Sequence, residues 1–371
     1  MPTRLGRYCV GGLRFINKYD ALVFATQTNQ PVTWDFNDAV FSCFDWTIPV
    51  TESIDELYRQ RAQQIRDKYD YVSLFFSGGL DSTNVLHAFI DNDIQLDEVV
   101  MFKPRYYSYD PNNTTTGGNL YSELDFAATP HLQKYADGKR IKIRTIYFED
   151  ALDALLKNNA YVSQFHKLNW LTPTALARVA MAVTDLEWRG LYDAGKNVAH
   201  IQGIDRPILT KTDDGYSFSF KDYVNTFVFE PAETNETSEK IKAHQHHEFF
   251  YWTPDMPKLA IKQAQLTKQA WMSNPIPLCN QDIAIEQLFP AHVLSVRSLF
   301  HAGKNMVGTN GPNHQWIHSP EITYAKGVFA DMLSLARTTI DAKFTQPDYN
   351  IRAARTKAGS YIDMYSKEYR L

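Results

Sequence analysis

Cysteine is scarce in this sequence. The chain of 371 residues contains three cysteines, Cys9, Cys43 and Cys279, which are odd in number and widely separated. A scattered, odd set of cysteines does not form a disulfide framework, and it cannot supply the thiolates of an all-cysteine zinc site. Neither of these two classes of protein is therefore expected.

Strong net charge and long apolar runs are also missing. The formal net charge of −4 gives no general attraction for nucleic acid, although a local basic groove would still bind it. No apolar run approaches the length of a membrane span, and the N-terminal residues MPTRLGRYCV contain no apolar core of a secretion signal. With 44% hydrophobic and 22% charged residues, the composition is that of a globular protein. We therefore expect a cytoplasmic protein with no membrane partner and, from its length, about two or three domains.

The phosphate-binding loop of kinases and GTPases is absent as well. That loop has the pattern G-x-x-x-x-G-K-[ST]. The Gly-Lys pairs that begin at 138, 195 and 303 are instead followed by arginine or asparagine. The sequence has a different glycine turn, SGGLDST at 77–83.

The SGGLDST turn lies between a predicted strand and a predicted helix. The apolar run at 71–76 predicts a buried strand, and the apolar residues on one face of 84–90 predict a helix. Adjacent glycines let backbone N–H groups approach a ligand closely, and the helix directs its positive end at the same place. The turn therefore predicts a phosphate cradle, although an ordinary glycine turn that binds no ligand is the alternative. The residues that would form the cradle are Ser77, Gly78, Gly79, Leu80, Ser82 and Thr83.

The motif SGGLDST resembles the PP-loop of the ATP pyrophosphatases, and SGGLDS followed by a small hydroxyl residue is closest to the asparagine synthetase branch. The resemblance implies a doubly wound parallel α/β sheet of the adenine nucleotide alpha hydrolase-like type, followed by a mostly helical C-terminal domain. It also implies that ATP is bound with Mg²⁺ and cleaved to AMP and pyrophosphate. Asp81 occupies the aspartate position of the motif and would hold the Mg²⁺, or would only stabilise the start of the helix.

A second candidate turn, GIDRP at 203–207, follows the predicted fourth strand at 198–202. Parallel sheets bind ligands at the carboxyl ends of their strands, so Gly203 and the SGGLDST turn are expected at the same edge. The resemblance implies a second Mg²⁺-binding aspartate after a later strand. Asp205 is the candidate, although an Asx turn before the following proline would account for it too. Arg206 is a candidate phosphate contact, with a solvent-exposed cation as the alternative.

The adenine ring and the acyl group would need further contacts. Phe76 and Phe102 lie at the ends of the first two predicted strands, where they would flank the adenine ring or belong to the core. The resemblance also implies a lysine from the helical domain that contacts an acyl-adenylate, and Lys304, in a glycine-rich loop, is preferred. The other lysines considered are Lys258, Lys262 and Lys326.

A cluster of histidines raises the question of a metal site. His244, His247 and Glu248 would share a face if their segment were helical, and His246 lies among them. No H-E-x-x-H pattern and no cysteine accompany the cluster. A packing or solvent-exposed role is therefore favoured over metal binding.

The domain organisation follows from these elements. Residues 1–50 predict a small mixed segment with a hairpin, 51–230 the ATP-binding α/β domain, and 231–371 a helical substrate or lid domain. Asparagine synthetases carry an N-terminal amidotransferase domain that begins with a nucleophilic cysteine; Cys9 lies too far inside this chain, so no built-in glutaminase is expected. The long polar loop at 104–119 is expected to cover the substrate.

The four predicted strands are 71–76, 96–102, 141–147 and 198–202. A helix is predicted to begin at Thr51, because residues 51–53 offer capping side chains and an apolar stripe follows, formed by Ile54, Leu57, Ala62 and Ile65. Helices beyond residue 250 are predicted at 258–271, 281–288, 291–300, 324–341 and 351–365.

The leading hypothesis is therefore an ATP-dependent carbon–nitrogen ligase of the asparagine synthetase-like type. It would adenylate a carboxylate or carbonyl and transfer it to ammonia or an amine, so its partners would be a small-molecule acid and a nitrogen donor. Two alternatives stay open: modification of a nucleotide or nucleic-acid base by a related PP-loop enzyme, and a nucleotide-binding module without catalysis. The thiolating and zinc-containing base-modifying enzymes are disfavoured because the cysteines that they need are missing.

Overall fold

The structure of the protein is a computed structural model that describes only part of the chain. The described residues are 6–16, 18–103, 124, 128–136, 141–147, 150, 185–203, 208–212, 215–222, 236–273, 351–356 and 359–371. The strands within them are β1 (Arg7–Val10), β2 (Leu13–Phe15), β3 (Thr33–Asp35), β4 (Tyr71–Phe75), β5 (Glu98–Lys103), β6 (Lys142–Tyr147), β7 (Val198–Gln202), β8 (Ile208–Thr212), β9 (Gly215–Ser219), β10 (Gln245–Phe249), β11 (Ile351–Thr356), β12 (Gly359–Met364) and β13 (Tyr369–Arg370). The helices are α1 (Lys18–Thr28), α2 (Asp38–Phe41), α3 (Ile54–Lys68), α4 (Leu80–Ile90), α5 (Thr129–Ala136), α6 (Leu186–Asp193), α7 (Glu236–His244) and α8 (Pro257–Ser273).

The centre of the fold is a five-stranded sheet with the order β10-β7-β4-β5-β6, in which every neighbouring pair is parallel. Strands β4 and β7 are buried along almost their whole length, as expected of parallel strands that are covered on both faces. From β4 the chain proceeds outward through β5 and β6, and then returns to place β7 and β10 on the other side of β4. The predicted doubly wound α/β class and all four predicted strands are therefore confirmed.

Helices cover both faces of this sheet. Side chains alternate between faces along a strand, so Glu98 of β5 and Glu248 of β10 lie on opposite faces by the strand register. On one face, Trp188 of α6 donates from its indole Nε1 to Glu98 at 2.8 Å. On the other, Arg61 of α3 forms a fully buried ion pair with Glu248 at 2.7 Å.

Helix α3 forms where its sequence predicts it. Ser53 caps the helix, since its hydroxyl accepts from the N–H of Glu56 at 3.1 Å. The predicted apolar stripe is buried, and its members are Ile54, Leu57, Ala62 and Ile65. Arg66 and Lys68 in the last turn complement the helix dipole.

The N-terminal segment contains the β1–β2 hairpin and the helices α1 and α2. Strand β3 also pairs with β1 in this small antiparallel sheet. Phe36 and Phe41 pack against the Phe220 ring, with centroid distances of 4.6 and 4.5 Å. The buried Lys18 forms an ion pair with Asp222 at 2.5 Å. These aromatic and charged contacts attach the N-terminal segment to the sheet formed by β8, β9 and β13.

Two predicted segments have a different secondary structure. The segment from His244 to Glu248 does not form one helix, because α7 ends at His244 and the following residues form β10. Residues 351–365, predicted as a helix, form the antiparallel hairpin of β11 and β12. The partner of β10 is β7, which is distant in the chain, whereas β11 and β12 pair with each other within the segment. In both cases strand pairing overrides the local helical preference.

The fifth strand lies beyond the predicted domain boundary at residue 230, since β10 belongs to the central sheet. The domain boundaries themselves stay predictions. The predicted helices at 281–288, 291–300 and 324–341 and the loop at 104–119 lie outside the described residues. No helix in the described part of the chain is both long enough and apolar enough to cross a membrane.

Candidate functional site

The SGGLDST turn connects the central strand β4 to helix α4. The β-ladder continues one residue past β4, because Phe76 N–H donates to the Val100 carbonyl at 2.9 Å. Gly78 then takes a left-handed backbone with φ of +82°, a conformation that costs other residues free energy. Gly79 precedes the helix with an extended backbone, φ −68° and ψ 167°. The predicted order of strand, glycine turn and helix is confirmed.

Hydroxyl groups tie the turn together. The Ser77 and Ser82 hydroxyl oxygens lie 3.2 Å apart, and Gly79 N–H donates to Ser77 Oγ at 3.2 Å. Thr83 Oγ1 donates to the Gly78 carbonyl at 3.3 Å. Ser82 and Thr83 are buried, whereas Ser77 is exposed. The Ser77 hydroxyl is therefore the one of the three that is accessible to a ligand.

The N-terminus of α4 lacks the side-chain cap that two other helices have. Ser53 caps α3 and Asp185 caps α6, each by accepting a backbone N–H, but Gly79 provides no side-chain hydrogen bond to α4. The first N–H groups of a helix have no acceptor within the helix. They attract an anion together with the helix dipole, so this end of α4 has the properties of a phosphate site.

The end of β7 lies against the first turn of α4. A Cβ atom built on Gly203 would come within 3.0 Å of the Ser82 backbone nitrogen and 3.1 Å of the Asp81 carbonyl oxygen. Only a glycine leaves the space beside this peptide group open. Strands β4 and β7 flank the point where the strand order reverses, which is where open parallel sheets bind their ligands. Gly203 and the SGGLDST turn are thus brought together, as the sequence predicted.

Ala128, the residue before α5, packs against the turn at Gly78. A Cβ atom on Gly78 would lie 2.7 Å from the Ala128 Cβ and 3.1 Å from the Ala128 nitrogen. Glycine is therefore favoured at position 78 for two reasons: the backbone is left-handed, and a Cβ atom would overlap with Ala128. The sequence contained no signal for this contact, because residue 128 is distant in the chain.

Tyr251 is a residue of this site that sequence reasoning missed. It follows β10, and its hydroxyl donates to the Asp81 carbonyl at 2.8 Å. The same hydroxyl accepts from Asn84 Nδ2 at 3.0 Å. Tyr251 and Asn84 are both buried. The sequence does not predict this contact, because the residues of β10 carry no clear strand signal.

The remaining predicted residues fall in two groups. Phe76 and Phe102 are 2% and 7% exposed, and the Phe102 ring packs edge-on against Phe75 at 5.2 Å, so both belong to the core in this structure. Contact with adenine stays a prediction. The predicted site residues outside the described part of the chain are Asp205, Arg206 and Lys304. Of the alternative lysines, Lys258 pairs with Glu52 at 2.5 Å and Lys262 donates to the Val50 carbonyl at 2.8 Å.

The histidine cluster is divided between the two faces of the sheet. Alternation along β10 puts His247 on the face of α6 and Glu248 on the face of α3. Burial, followed by the nearby His246, lowers the pKa of His247 to about 4, so this side chain is neutral at pH 7. The neighbouring His200 is fully buried, and burial lowers its pKa well below the usual value. Within the described ranges, no group of three or more His, Cys, Asp or Glu side chains is arranged to hold a metal ion.

No protein-family model matches the sequence, and no match was found among the curated proteins. Among solved structures, the chain is similar to an NAD+ synthetase from Burkholderia pseudomallei, with 14% sequence identity and a TM-score of 0.24. This similarity covers 45% of the present chain and 58% of the synthetase.

Proposed function

We propose that this protein is an ATP-dependent carbon–nitrogen ligase of the asparagine synthetase-like type. It forms AMP and pyrophosphate while it activates a carboxylate or carbonyl for attack by ammonia or an amine. The observation that carries the proposal is the position of the SGGLDST turn at the carboxyl end of the central strand, beside the end of β7. The same turn contains a glycine with a left-handed backbone and leads into a helix whose N-terminus has no side-chain cap.

The groups present are suited to a polyphosphate. The first-turn N–H groups of α4 would bind phosphate oxygens, and the exposed Ser77 hydroxyl would add a donor. Gly203 places no Cβ atom beside the Ser82 nitrogen, so an oxygen atom could approach that peptide. The turn thus offers hydrogen-bond donors and a positive helix end to the negative charge of a phosphate group.

Asp81 would supply the carboxylate for Mg²⁺. It lies in the first turn of α4 and is partly exposed, next to the proposed phosphate position. Bound Mg²⁺ would neutralise the negative charge of the phosphates. Asp205 is proposed as a second ligand. Arg206 and Lys304 are proposed as cations for the phosphates and the acyl-adenylate.

The proposed reaction is a displacement at the α-phosphorus of ATP. A carboxylate oxygen of the acid bonds to that phosphorus, the bond to the bridging oxygen of the β-phosphate breaks, and pyrophosphate leaves. The nitrogen donor then attacks the acyl carbon and releases AMP. The contribution of the chain would be to hold the pyrophosphate group on preorganised N–H donors, which need no reorganisation when charge develops there.

The decisive experiment is product analysis with α-labelled ATP and Mg²⁺. The protein is incubated with a panel of carboxylic acids, with nucleosides, and with ammonia or an amine. Acid-dependent formation of AMP and pyrophosphate supports the proposal, whereas formation of ADP and phosphate overturns it. AMP formation that depends on a nucleoside would indicate base modification. Binding of ATP without turnover would indicate a nucleotide-binding module.

Asp81→Asn tests the metal-binding role and has a matched control. Asp55 is likewise an acidic residue in the first turn of a helix, α3. Asp55→Asn therefore loses a comparable interaction with a helix dipole, about 0.3–1 kcal/mol. We expect Asp81→Asn to lower turnover by orders of magnitude and Asp55→Asn to leave it unchanged. Equal activities of the two variants would mean that the Asp81 carboxylate has only a structural role.

Gly79→Val tests the close approach of phosphate. The backbone of Gly79, with φ −68° and ψ 167°, can be adopted by any residue, so valine introduces no backbone strain. We expect the variant to fold and to lose ATP binding. A variant that keeps the affinity for ATP would place the phosphates elsewhere.

A further inference from the structure

The phenol of Tyr251 contacts the peptide group that would face the phosphates. Its hydroxyl donates to the Asp81 carbonyl, which belongs to the same peptide group as the Ser82 N–H. A Cβ atom built on Gly203 would lie 3.0 Å from that nitrogen. One peptide of the first turn of α4 is therefore contacted by residues from the ends of both β10 and β7.

The position of Tyr251 is determined by buried contacts. The ladder of the central sheet extends past β10, since Phe250 N–H donates to the Gln202 carbonyl at 3.2 Å. Arg61 donates to the Phe250 carbonyl at 3.3 Å. The Tyr251 ring packs edge-on against Tyr58 with a centroid distance of 5.8 Å, and the residue is 3% exposed. The hydroxyl is thus held in place before any ligand binds.

Hydrogen bonding to a carbonyl polarises the whole peptide group. A donor on the carbonyl oxygen increases the partial positive charge of the N–H of the same peptide, because chains of hydrogen bonds strengthen one another. Asn84 donates to the Tyr251 oxygen at 3.0 Å, which directs the phenol proton towards Asp81 and lengthens the chain. The Ser82 N–H at the end of this chain becomes a better donor to an anion.

We propose that Tyr251 is a positioning residue for the phosphates of ATP. It acts through the peptide between Asp81 and Ser82 and not by touching the nucleotide. The inference rests on the proposed function, namely that the SGGLDST turn binds ATP. It adds that the affinity of the turn depends on a residue about 170 positions away in the chain, at the end of the fifth strand of the sheet.

The test compares Tyr251→Phe with a matched tyrosine variant by calorimetric titration with ATP and Mg²⁺. The control is Tyr192→Phe, because the buried Tyr192 hydroxyl also forms a hydrogen bond, at 2.9 Å to His200 Nε2 on the opposite face of the sheet. Each variant loses a buried hydroxyl and should lose thermal stability. We expect a weaker affinity for ATP in Tyr251→Phe only, by up to roughly fivefold, because the lost polarisation removes about 10–30% of one hydrogen bond to a charged group.

Titration with adenosine separates positioning from general damage. Adenosine has no phosphates, so its affinity should be the same in Tyr251→Phe and in the unmodified protein. Equal loss of affinity for ATP and adenosine would overturn the proposal and leave Tyr251 a structural residue. Unchanged ATP affinity in Tyr251→Phe would overturn it as well.

The outcome for the unmodified protein distinguishes the two proposals. If it does not bind ATP, the proposed function fails and the role of Tyr251 fails with it. If it binds ATP and Tyr251→Phe binds equally well, only the role of Tyr251 fails. Should Tyr251→Phe not fold, Asn84→Ala is measured instead, since it keeps the phenol but removes the donor that orients it. A smaller loss of ATP affinity is expected there, and no loss would refute the proposal.

Discussion

Replacing Gly78 by alanine tests two structural constraints on the turn between β4 and α4. The first constraint is the left-handed backbone, with φ of +82°. The second is space, because the new Cβ would lie 2.7 Å from the Cβ of Ala128, closer than such atoms approach in proteins. We therefore expect a loss of stability larger than that of an ordinary glycine-to-alanine change.

The magnitude follows from adding the two terms. A left-handed backbone costs an alanine about 1–2 kcal/mol, and forcing an extra methyl group into a packed site costs about 1–3 kcal/mol. Gly78→Ala should therefore lower the free energy of unfolding by about 2–5 kcal/mol. Gly195 allows the backbone cost to be measured alone, because its φ is +71° and a Cβ there would have no neighbour within 4 Å. Gly195→Ala should lose about 1–2 kcal/mol from the backbone alone.

Chemical denaturation followed by tryptophan fluorescence measures both losses. The double variant Gly78→Ala/Ala128→Gly adds an internal check, since it removes the methyl–methyl overlap but leaves the Ala128 nitrogen at 3.1 Å from the new atom. We expect it to regain part of the overlap term, relative to the sum of the single changes. Equal losses in Gly78→Ala and Gly195→Ala, with no recovery in the double variant, would refute the steric reasoning.

Other predictions concern the stability of the fold. Burial, followed by the charge of His87, lowers the pKa of His131 from 6.5 to about 4. As the pH falls, the unfolded chain therefore takes up this proton before the folded chain does, and the free energy of unfolding should fall by roughly 1–2 kcal/mol between pH 6.5 and 4, with solvent screening allowed for. Denaturation curves across that range should show the loss, and His131→Asn should reduce it; an unchanged pH dependence in that variant would contradict the assignment. Arg61→Leu leaves the carboxylate of Glu248 buried without its ion-pair partner, and should lower the free energy of unfolding by about 3–5 kcal/mol. Adding Glu248→Leu should recover part of that loss, and a further loss would contradict this account. Ser53→Ala removes the cap of α3 and should cost about 1 kcal/mol in the same assay, whereas Ser53→Gly should cost less.

The elements that could be predicted are those whose signals are local. The strand β4, the SGGLDST turn and helix α4 follow one another within about twenty residues, so backbone preference and apolar pattern act in the same short window. The cap and the apolar stripe of α3 are local signals as well. The left-handed residue had to be one of two adjacent glycines, and it is Gly78.

The strand β10 shows why other parts could not be predicted. Its sequence, QHHEF, has little strand preference and places a glutamate in the interior. The segment is a strand because it completes the edge of the central sheet beside β7, and because Arg61 of a distant helix neutralises Glu248. Neither the partner strand nor the partner charge is visible from the residues around it.

By itself, the sequence determined the class of the sheet, its first four strands and the glycine turn at the end of β4. These depend on hydrophobic periodicity and on backbone conformations that only glycine adopts easily. The tertiary structure alone decided that Gly203, Ala128 and Tyr251 surround this turn. Such contacts join chain segments that are 50 to 170 positions apart, by the approach of packed backbones and one buried hydroxyl. Their geometry follows from the order in which strands pair, and no local pattern of residues encodes that order.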